Sequence, residues 1–322
     1  MTAFQWEREV QEDLVRIEAI MDEVLHTNVS LLKDMARYIV DSGGKRLRPG
    51  VNMTVYRAFG GIDHHVQSRL AAAFEILHTG TLVHDDINDC STLRRGREAV
   101  HVKYGLQNAI VCGDFMFAKS FLIAARHSHE VIERLLETCI GLAEGEILQR
   151  KWIDGESLTV NDRMDIIDMK TAIPIGAMAW AGAHNTDEGR SVAQRAFDYG
   201  LNLGRAFQLK DDLMDFLGDP GQTGKPLLQD LEQGNITLPI TFALENLETG
   251  KSVELRGMIE DHKNADVKRL VYLLESSGAL DFIKKKMDIH TDIALESIKA
   301  FPDNRFADSL INIVEYVSNR EC

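Results

Sequence analysis

Apolar residues recur every three or four positions along most of this chain, which is the spacing of one face of an α-helix. The pattern first appears over residues 10–25 and again over 31–39. A Gly-Gly pair at 43–44 ends the second stretch, because glycine is favoured where helices stop, and Pro49 stands where a new helix can begin. The N-terminal part therefore predicts amphipathic helices separated by short breaks.

The middle of the chain is more apolar, and its predicted helices are longer. They cover four ranges, which are 66–87, 109–126, 131–152 and 192–217. The following segment, 218–234, is rich in glycine and holds two prolines, so it is predicted to be a loop. The remaining apolar periodicity, over 236–319, predicts about four or five shorter helices.

Strand patterns are scarce, since no alternating run exceeds about five residues. Neither a linker nor a low-complexity stretch divides the 322 residues, and only 6 prolines interrupt them. The sequence therefore predicts an all-α protein with one domain, residues 1–322, folded as a helical bundle.

The charge balance limits the classes of partner. The chain has 50 Asp and Glu against 36 Lys and Arg, which gives a net charge of −14. Nucleic-acid-binding proteins normally show the opposite balance, so no nucleic acid is expected as a partner. An anionic substrate would need a local basic cluster or a metal ion to bind it.

The features that bear on location favour a soluble protein of the cytoplasm. Four cysteines are scattered without a Cys-x-x-Cys pair, as in reduced intracellular proteins. The acidic N-terminus lacks the apolar core of a signal peptide. The longest weakly polar run, 172–183, is too short to span a bilayer and contains Pro174, so no integral membrane segment is expected.

Two aspartate clusters with the pattern D-D-x-x-D end apolar helical segments. The first consists of Asp85, Asp86 and Asp89, and the second of Asp211, Asp212 and Asp215. Residues four apart share a helix face, so the outer two aspartates of each cluster lie one above the other and repel each other. Mg²⁺, which prefers oxygen ligands, would balance these charges. One such motif is often accidental, but two in matching contexts indicate a metal site.

Basic residues accompany both clusters. Lys45 and Arg48 lie beside a predicted helix start, where free backbone N–H groups also favour anions. Arg94 and Arg95 follow the first aspartate cluster, and the planar guanidinium matches phosphate oxygens. Lys225 does not belong to a P-loop, because the G-x-x-x-x-G-K-[ST] spacing fails, yet it remains a candidate diphosphate contact. A site for two diphosphates, bound through magnesium and arginine, would need this set.

Short motifs along the chain form one ordered series. They are GKRLRP (44–49), EILH (75–78), HDDIND (84–89), RRG (94–96), GD (113–114), KT (170–171), FQLKDDLMD (207–215) and GK (224–225). In order and interval this series resembles the trans-prenyl-diphosphate synthases. The resemblance implies the isoprenoid synthase fold, a helical bundle with a central cavity. It also implies Mg²⁺, isopentenyl diphosphate and an allylic diphosphate as ligands, and a homodimer.

The resemblance further implies a role for each matching side chain. Two or three magnesium ions would be bound by Asp85, Asp89 and Asp211, supported by Asp86, Asp212 and Asp215. The diphosphate of isopentenyl diphosphate would be held by Lys45, Arg48, His78 and Arg95. The allylic diphosphate or the reacting carbon would be contacted by Arg94, Lys170, Thr171, Gln208 and Lys225. Ionisation of the allylic C–O bond would then generate a carbocation that the second substrate attacks, so no protein nucleophile is required.

The length of the product is predicted from the helix that ends at Asp85. The growing chain would run along it past Gly80 and Thr81, then Leu77, then Phe74, which lies roughly 16 Å from Asp85 at a rise of 1.5 Å per residue. Small residues at 80 and 81 leave the tunnel open, which predicts a product of C20 or longer. Within that set, the sequence favours C30 to C40. The alternative is earlier closure by an aromatic side chain of another helix, such as Phe117 or Phe121.

Three other classes of protein share part of the pattern. A terpene cyclase would have one aspartate cluster, but its second metal motif usually differs from D-D-x-x-D. A regulatory subunit of a heteromeric synthase usually loses one cluster, and both are intact. A di-metal carboxylate bundle would use the two E-x-x-H strings, Glu75–His78 and Glu98–His101, but would leave the arginines unexplained.

Overall fold

The computed structural model describes residues 5–44, 46–151, 157–218, 227–232 and 234–319. Within these ranges the α-helices, numbered in chain order, are α1 (Gln5–Glu9), α2 (Gln11–Val24), α3 (Ser30–Val40), α4 (Leu47–Ala58), α5 (His64–Asn88), α6 (Val100–Tyr104), α7 (Leu106–Ala124), α8 (His129–Arg150), α9 (Val160–Ile167), α10 (Ile173–His184), α11 (Ala193–Leu217), α12 (Gln229–Glu232), α13 (Leu238–Asn246), α14 (Thr249–Glu260), α15 (Val267–Ser276), α16 (Ala279–Ile298) and α17 (Arg305–Asn319). The all-α prediction is confirmed, and the four long helices lie close to their predicted positions.

The centre of the bundle is formed by α5, α10 and α11. α10 packs against α4 and α11, α11 also packs against α16, and α5 packs against α7. Every residue of α10 from Pro174 to Ala183 is buried, so this weakly polar run is the innermost helix of the fold. The long helices α5 and α11 carry the two aspartate clusters at their C-terminal ends.

Glycine on α11 allows its close approach to α10. A Cβ atom on Gly204 would lie 2.6 Å from the Cα atom of Ala172, and one on Gly200 would lie 2.7 Å from the carbonyl oxygen of Ile175. Larger side chains at either position would push the helices apart, because helix backbones meet this closely only over small residues. The contact at Gly204 fixes the segment next to Thr171.

A π-helical turn, Asp168–Ala172, joins α9 to α10. The N–H of Ile173 donates to the carbonyl oxygen of Asp168, five residues earlier, and Pro174 supplies no N–H of its own. Arg205 of α11 donates two hydrogen bonds of 2.6 Å to the carboxylate oxygens of Asp168. Lys170 and Thr171 both lie on this π turn.

The segment after the first aspartate cluster contains a short hairpin of β1 (Leu93–Arg94) and β2 (Arg97–Glu98). Leu93 pairs with Glu98 and Arg94 with Arg97, in antiparallel register. Arg95 and Gly96 form its turn with φ angles of 53° and 76°. Positive φ at both central residues is what the favoured two-residue hairpin turn requires.

One helix in the described part of the chain, α7, is long and apolar enough to cross a membrane by length and composition. This is weak evidence for a membrane segment, because packed helices of soluble proteins pass the same test. α7 packs against α5, and its buried residues include Ala109, Cys112 and Met116. The contact with α5 makes α7 a packed helix of this bundle.

Candidate active site

One stripe of α5 lines a cavity of about 250 Å³. His78, Leu82, Asp85 and Asp89 follow each other at intervals of four, three and four residues, so they share a helix face. Asp89 is the residue at which α5 ends. The face that points into the cavity is therefore the one that carries the outer aspartates of the first aspartate cluster.

Other elements supply the rest of the charged and polar lining. These residues are Arg48, Arg94, Gln149, Arg163, Lys170, Thr171, Gln208, Asp230 and Asn235. They come from α4, β1, α8, α9, the π turn, α11, α12 and the segment before α13. Eight of the residues singled out in the sequence line this one cavity although they are far apart in the chain, and they are Arg48, His78, Asp85, Asp89, Arg94, Lys170, Thr171 and Gln208. Lys45 and Lys225 lie outside the described residues.

Arg48 and His78 lie together in the cavity wall. Arg48 Nη1 is 3.0 Å from His78 Nε2, and because a guanidinium only donates, the imidazole accepts at this atom. Burial, reinforced by the charges of Arg48 and Arg95, lowers the pKa of His78 well below its usual value, so His78 is neutral. The buried Nε of Arg48 has no hydrogen-bond partner in the described part of the chain.

Arg95 lies beside the glycine pair. A Cβ atom on Gly44 would lie 3.1 Å from both terminal nitrogens of Arg95, so a larger residue at this position would force the guanidinium to shift. Burial and the nearby charge of Arg46 lower the pKa of Arg95, although it stays positively charged. Arg48, His78 and Arg95 therefore form one donor-rich region.

The first aspartate cluster carries more negative charge than its surroundings compensate. Burial raises the pKa of Asp85 to about 7 and that of Asp89 to about 6. Lys170 opposes both shifts, and its Nζ atom lies 3.9 Å from Asp85 Oδ1. Glu146 of α8 adds a further buried carboxylate, which forms an ion pair with Lys170 and accepts a hydrogen bond of 3.1 Å from Asn88.

Asp86 forms an ion pair with Arg94, which lines the cavity. Arg94 donates to Asp86 Oδ1 from Nε at 2.8 Å and from Nη2 at 2.5 Å. The Asp86 side chain is only 1% exposed, against 28% for Arg94. Asp86 therefore holds Arg94 at the cavity edge, as expected of a supporting member of the cluster.

The second aspartate cluster is anchored by Asp212. Its Oδ1 atom accepts a hydrogen bond of 2.9 Å from Gln208, and its Oδ2 atom accepts one of 3.2 Å from the N–H of Leu238. Burial raises its pKa to about 6. Thr171 donates to Gln208 at 3.0 Å, so a chain of hydrogen bonds links the π turn to this cluster. Asp211 is close enough to Arg48 for its charge to oppose the lowered pKa of that arginine, a shift that burial dominates.

The donor set suits magnesium completed by substrate oxygens. Within the described ranges no three His, Cys, Asp or Glu side chains converge closely enough to hold an ion by themselves. Magnesium binds through one or two carboxylates, retained water and phosphate oxygens, so it does not require such a convergence. The raised pKa values of Asp85, Asp89 and Asp212 show where positive charge is lacking.

The proposed chain-length residues lie on α5, one to three helical turns before Asp85. Phe74, Leu77 and Gly80 are buried, and Thr81 is half-buried. Gly80 points towards α7, because a Cβ atom on it would lie 2.9 Å from a ring carbon of Phe117. Gly80 and Phe117 therefore belong to one wall between α5 and α7.

The polyprenyl synthetase family model matches residues 29–276. The chain belongs to this family. It is 30% identical to octaprenyl diphosphate synthase of Escherichia coli, over 96% of each chain. It is 31% identical to solanesyl-diphosphate synthase 2 of Oryza sativa, covering 95% of this chain and 77% of that one. A polyprenyl synthase of Caulobacter crescentus, solved with calcium and isoprenyl diphosphate, superposes with a TM-score of 0.87 at 31% identity, covering 98% and 97% of the two chains.

The family assignment confirms the resemblance seen in the sequence, the isoprenoid synthase fold and the enzyme class. The protein is a trans-prenyltransferase, a polyprenyl diphosphate synthase. The di-metal alternative is not supported, because Glu75 is engaged by Arg46 at 2.9 Å and His78 by Arg48. Glu98 is exposed on β2.

Several side chains of this polyprenyl synthetase site were missed in the sequence, and they are Gln149, Arg163, Asp230 and Asn235 of the cavity lining and Glu146, which pairs with Lys170. Glu146 follows Gly145, where a Cβ atom would lie 3.0 Å from Lys170 Cγ, so the glycine is what allows the close contact between α8 and the π turn. An isolated glycine in a helical pattern is the one signal that was available. Arg163, a buried cation of α9 in the cavity wall, had no motif to mark it.

The raised carboxyl pKa values predict how the stability of the metal-free enzyme depends on pH. Asp85, Asp89 and Asp212 keep their protons up to about pH 6 or 7 when folded, whereas in the unfolded chain they lose them near pH 4. The folded state binds more protons in this window, so stability falls as pH rises through it. We expect the melting temperature without metal to rise when pH is lowered from about 8 to about 6.

Magnesium and inorganic diphosphate reverse this trend, because metal binding needs the deprotonated carboxylates. The melting-temperature increase that they cause is expected to shrink as pH falls through the same window. Differential scanning calorimetry at several pH values, with and without both ligands, measures the two effects. An increase that does not change between about pH 8 and about pH 6 would contradict the raised pKa values.

Proposed function

We propose that this enzyme condenses isopentenyl diphosphate with an allylic prenyl diphosphate in the cavity between α5 and α11, using Mg²⁺. The observation that carries the proposal is the arrangement of Asp85 and Asp89 in one cavity with Arg48, His78 and Lys170. Carboxylates for metal ions and donors for diphosphate face the same space. The calcium and isoprenyl diphosphate bound to the Caulobacter relative support a divalent cation beside a diphosphate in this family.

Asp85, Asp89 and Asp211 would hold two or three magnesium ions, which, when bound, neutralise the leaving diphosphate during ionisation of the allylic C–O bond. Asp86, Asp212 and Asp215 support these ligands. Arg48, His78 and Arg95, together with Lys45, hold the diphosphate of isopentenyl diphosphate so that its double bond faces the reacting carbon. Arg48 donates through Nη1 to a neutral His78, which keeps this donor-rich region ordered before substrate binds.

The chain from Thr171 through Gln208 to Asp212 orients the groups near the reacting carbon. Lys170 donates to Glu146 and lies 3.9 Å from Asp85, so its charge is already directed at the site where the leaving group departs. Positive charge that is fixed beforehand stabilises a developing anion without reorganisation. Arg94 and Lys225 complete the proposed contacts with the allylic diphosphate.

The decisive assay is incubation with isopentenyl diphosphate and Mg²⁺ and separate C5, C10, C15 and C20 allylic primers, followed by mass spectrometry of the products. An elongated all-trans prenyl diphosphate from at least one primer is the expected result. A complete lack of product with every primer would indicate a regulatory subunit and overturn the proposal.

We propose that the product is C20 or longer, and within that set we favour C30 to C40. Leu77 and Phe74 would line the growing chain beyond Thr81, and the small residues at 80 and 81 leave its path open. Relatives named for octaprenyl and solanesyl products support a long chain.

Changing Gly80 to phenylalanine tests this assignment. The new ring has no space between α5 and α7, since a Cβ atom alone would lie 2.9 Å from Phe117 and 3.2 Å from Met116. It must displace Phe117 or turn into the tunnel, and either outcome shortens the product by one or more five-carbon units. Gly257→Phe is the matched control, because Gly257 has open space around it on α14. An unchanged product distribution for Gly80→Phe would exclude this wall as a determinant of length.

We also propose that the enzyme is a cytoplasmic homodimer. Exposed large apolar residues are concentrated on α7 and α8, and they are Leu106, Ile110, Val111, Leu122, Leu136, Ile140 and Ile147. Ile147 is 70% and Leu122 is 62% exposed in the single chain, which is typical of a surface that a partner covers. A second copy of this chain, presenting the same surface, would bury both.

The dimer is expected to dissociate when charge is placed on this surface. Ile140→Asp combined with Ile147→Asp should yield a monomer in sedimentation velocity experiments, because the charges would be buried without partners. Val253→Asp is the control, since Val253 is 63% exposed on α14, away from α7 and α8. A double variant that sediments as the wild type does would rule out this surface as the dimer interface.

A further inference from the structure

Arg163 is a buried cation in the wall of the active-site cavity. It lies in the first turns of α9, whose start is fixed by a capping box between Thr159 and Asp162. Arg163, Ile167 and Lys170 follow each other at intervals of four and three, and all three line the cavity. The residue is 6% exposed.

The guanidinium of Arg163 is incompletely satisfied. Its Nε and Nη1 atoms are buried and have no hydrogen-bond partner in the described part of the chain. Arg94 donates to Asp86 and Lys170 to Glu146, whereas Arg48 donates to His78 and leaves only its Nε without a partner in the described residues. Buried polar atoms are nearly always hydrogen-bonded, so an unpaired buried guanidinium calls for an acceptor that binds later.

The neighbouring carboxylates do not provide that acceptor. Burial raises the pKa of Asp212, and the charge of Arg163 only partly opposes the shift. Both oxygens of Asp212 already accept hydrogen bonds, from Gln208 and from the N–H of Leu238. Arg163 thus interacts electrostatically with the second aspartate cluster while its own donors remain unused.

We propose that Arg163 binds a phosphate oxygen of the allylic diphosphate and of the inorganic diphosphate that it becomes. A diphosphate held by magnesium between the two aspartate clusters brings several anionic oxygens into this cavity. The guanidinium has N–H groups at Nε and Nη1 without a partner in the described part of the chain, and charged N–H donors of this kind suit phosphate oxygens. The inference rests on the proposed function and adds a contact that none of the sequence motifs contains.

The test compares Arg163→Gln and Arg163→Lys with the wild type. Titration calorimetry with inorganic diphosphate at saturating Mg²⁺ should show Kd raised by about 10- to 100-fold for Arg163→Gln, which is the effect of losing hydrogen bonds from a charged donor. Arg163→Lys keeps the charge without the planar fork, so its Kd should lie in between. The KM for the allylic primer should rise, while the KM for isopentenyl diphosphate should stay within about twofold.

A purely structural role would give a different pattern. If Arg163 served only to balance Asp212, Arg163→Gln would lower the melting temperature of the ligand-free enzyme and leave diphosphate affinity unchanged. We expect that temperature to be unchanged or higher, because an unpaired buried charge is removed. Diphosphate affinity within about twofold of the wild type in both variants would overturn the inference.

Two controls separate this inference from the proposed function. Arg269→Gln removes an exposed arginine of α15 that pairs with Glu254 of α14. The diphosphate affinity of this variant should equal that of the wild type. Wild-type enzyme that elongates a primer, combined with unaltered affinity in the Arg163 variants, would refute the role of Arg163 alone. Wild-type enzyme without any elongation would refute the proposed function itself.

Discussion

Replacing Asp85 by asparagine is expected to lower kcat/KM by about 10³-fold or more. A metal ion contributes several kcal/mol to stabilising the departing charge, and each 1.36 kcal/mol corresponds to about a tenfold change in rate. Asparagine keeps the shape of the side chain but removes the charge that binds the ion. Asp85 lies on the stripe of α5 that lines the cavity, and its Oδ1 atom is 3.9 Å from Lys170 Nζ.

The same substitution should not destabilise the metal-free enzyme. Burial raises the pKa of Asp85 to about 7, which means that its charge is unfavourable in the folded protein without metal. We therefore expect the melting temperature of Asp85→Asn without Mg²⁺ at pH 8 to equal or exceed that of the wild type. Lost activity with retained stability is the signature of a residue kept for function.

Steady-state kinetics and calorimetry measure both quantities. Asp288→Asn on α16 is the matched control, because Asp288 is exposed and lies on another helix. It should leave activity and melting temperature unchanged. Asp85→Asn that keeps a tenth or more of wild-type kcat/KM would show that Asp85 is not an essential metal ligand.

Local sequence was sufficient to place the outer aspartates of the first aspartate cluster on one face of a helix. Spacing of four residues put Asp85 and Asp89 on one face, and the apolar residues before them identified that helix as buried. The structure agrees, since both residues line the cavity. The same argument placed Arg48 beside a helix start, because glycine and proline mark that boundary clearly.

Contacts between distant segments could not be predicted in this way. Glu146 forms its ion pair with Lys170 because Gly145 allows α8 to approach the π turn closely. The π turn itself depends on Pro174 and on the ion pair between Arg205 and Asp168. No periodicity in α8 or α9 carries this information. The unpaired donors of Arg163 likewise become evident only when its burial is known.

The surroundings of Gly80 could be predicted from the sequence only in part. Counting turns from Asp85 placed it on α5 among the chain-length residues, and the sequence also named Phe117 as an aromatic residue of another helix that would close the tunnel earlier. Which of the two dominates depends on the rotation of α5 against α7. In the structure the two residues face each other, so they act as one wall.

Arg94 and Arg95 are adjacent in sequence, yet their loss should have opposite consequences. Arg94→Ala should reduce the free energy of unfolding by about 3 to 5 kcal/mol, because removing one partner of a buried ion pair leaves the other charge uncompensated. The Asp86 side chain is 1% exposed, and its Oδ1 atom receives both donors from Arg94. Its Oδ2 atom has no hydrogen-bond partner in the described part of the chain.

Arg95→Ala is the internal control. In the part of the chain that the structure describes, the Arg95 guanidinium donates only a long hydrogen bond of 3.5 Å to Ser42, and it is partly exposed, so its removal should change stability by less than about 1 kcal/mol. It should instead raise the KM for isopentenyl diphosphate, since Arg95 lies beside Arg48 and His78. Urea unfolding and substrate kinetics on both variants separate the two roles.

A double change makes the argument about Arg94 quantitative. Asp86→Asn removes the charge that Arg94 compensates, so adding it to Arg94→Ala should recover much of the lost stability, even though a further native side chain is removed. Additive losses in the double variant would mean that Arg94 stabilises the fold by packing against the hairpin and not by balancing Asp86. Recovery would establish that the hairpin is held to α5 by this ion pair, which leaves Arg95 in the turn free to face substrate.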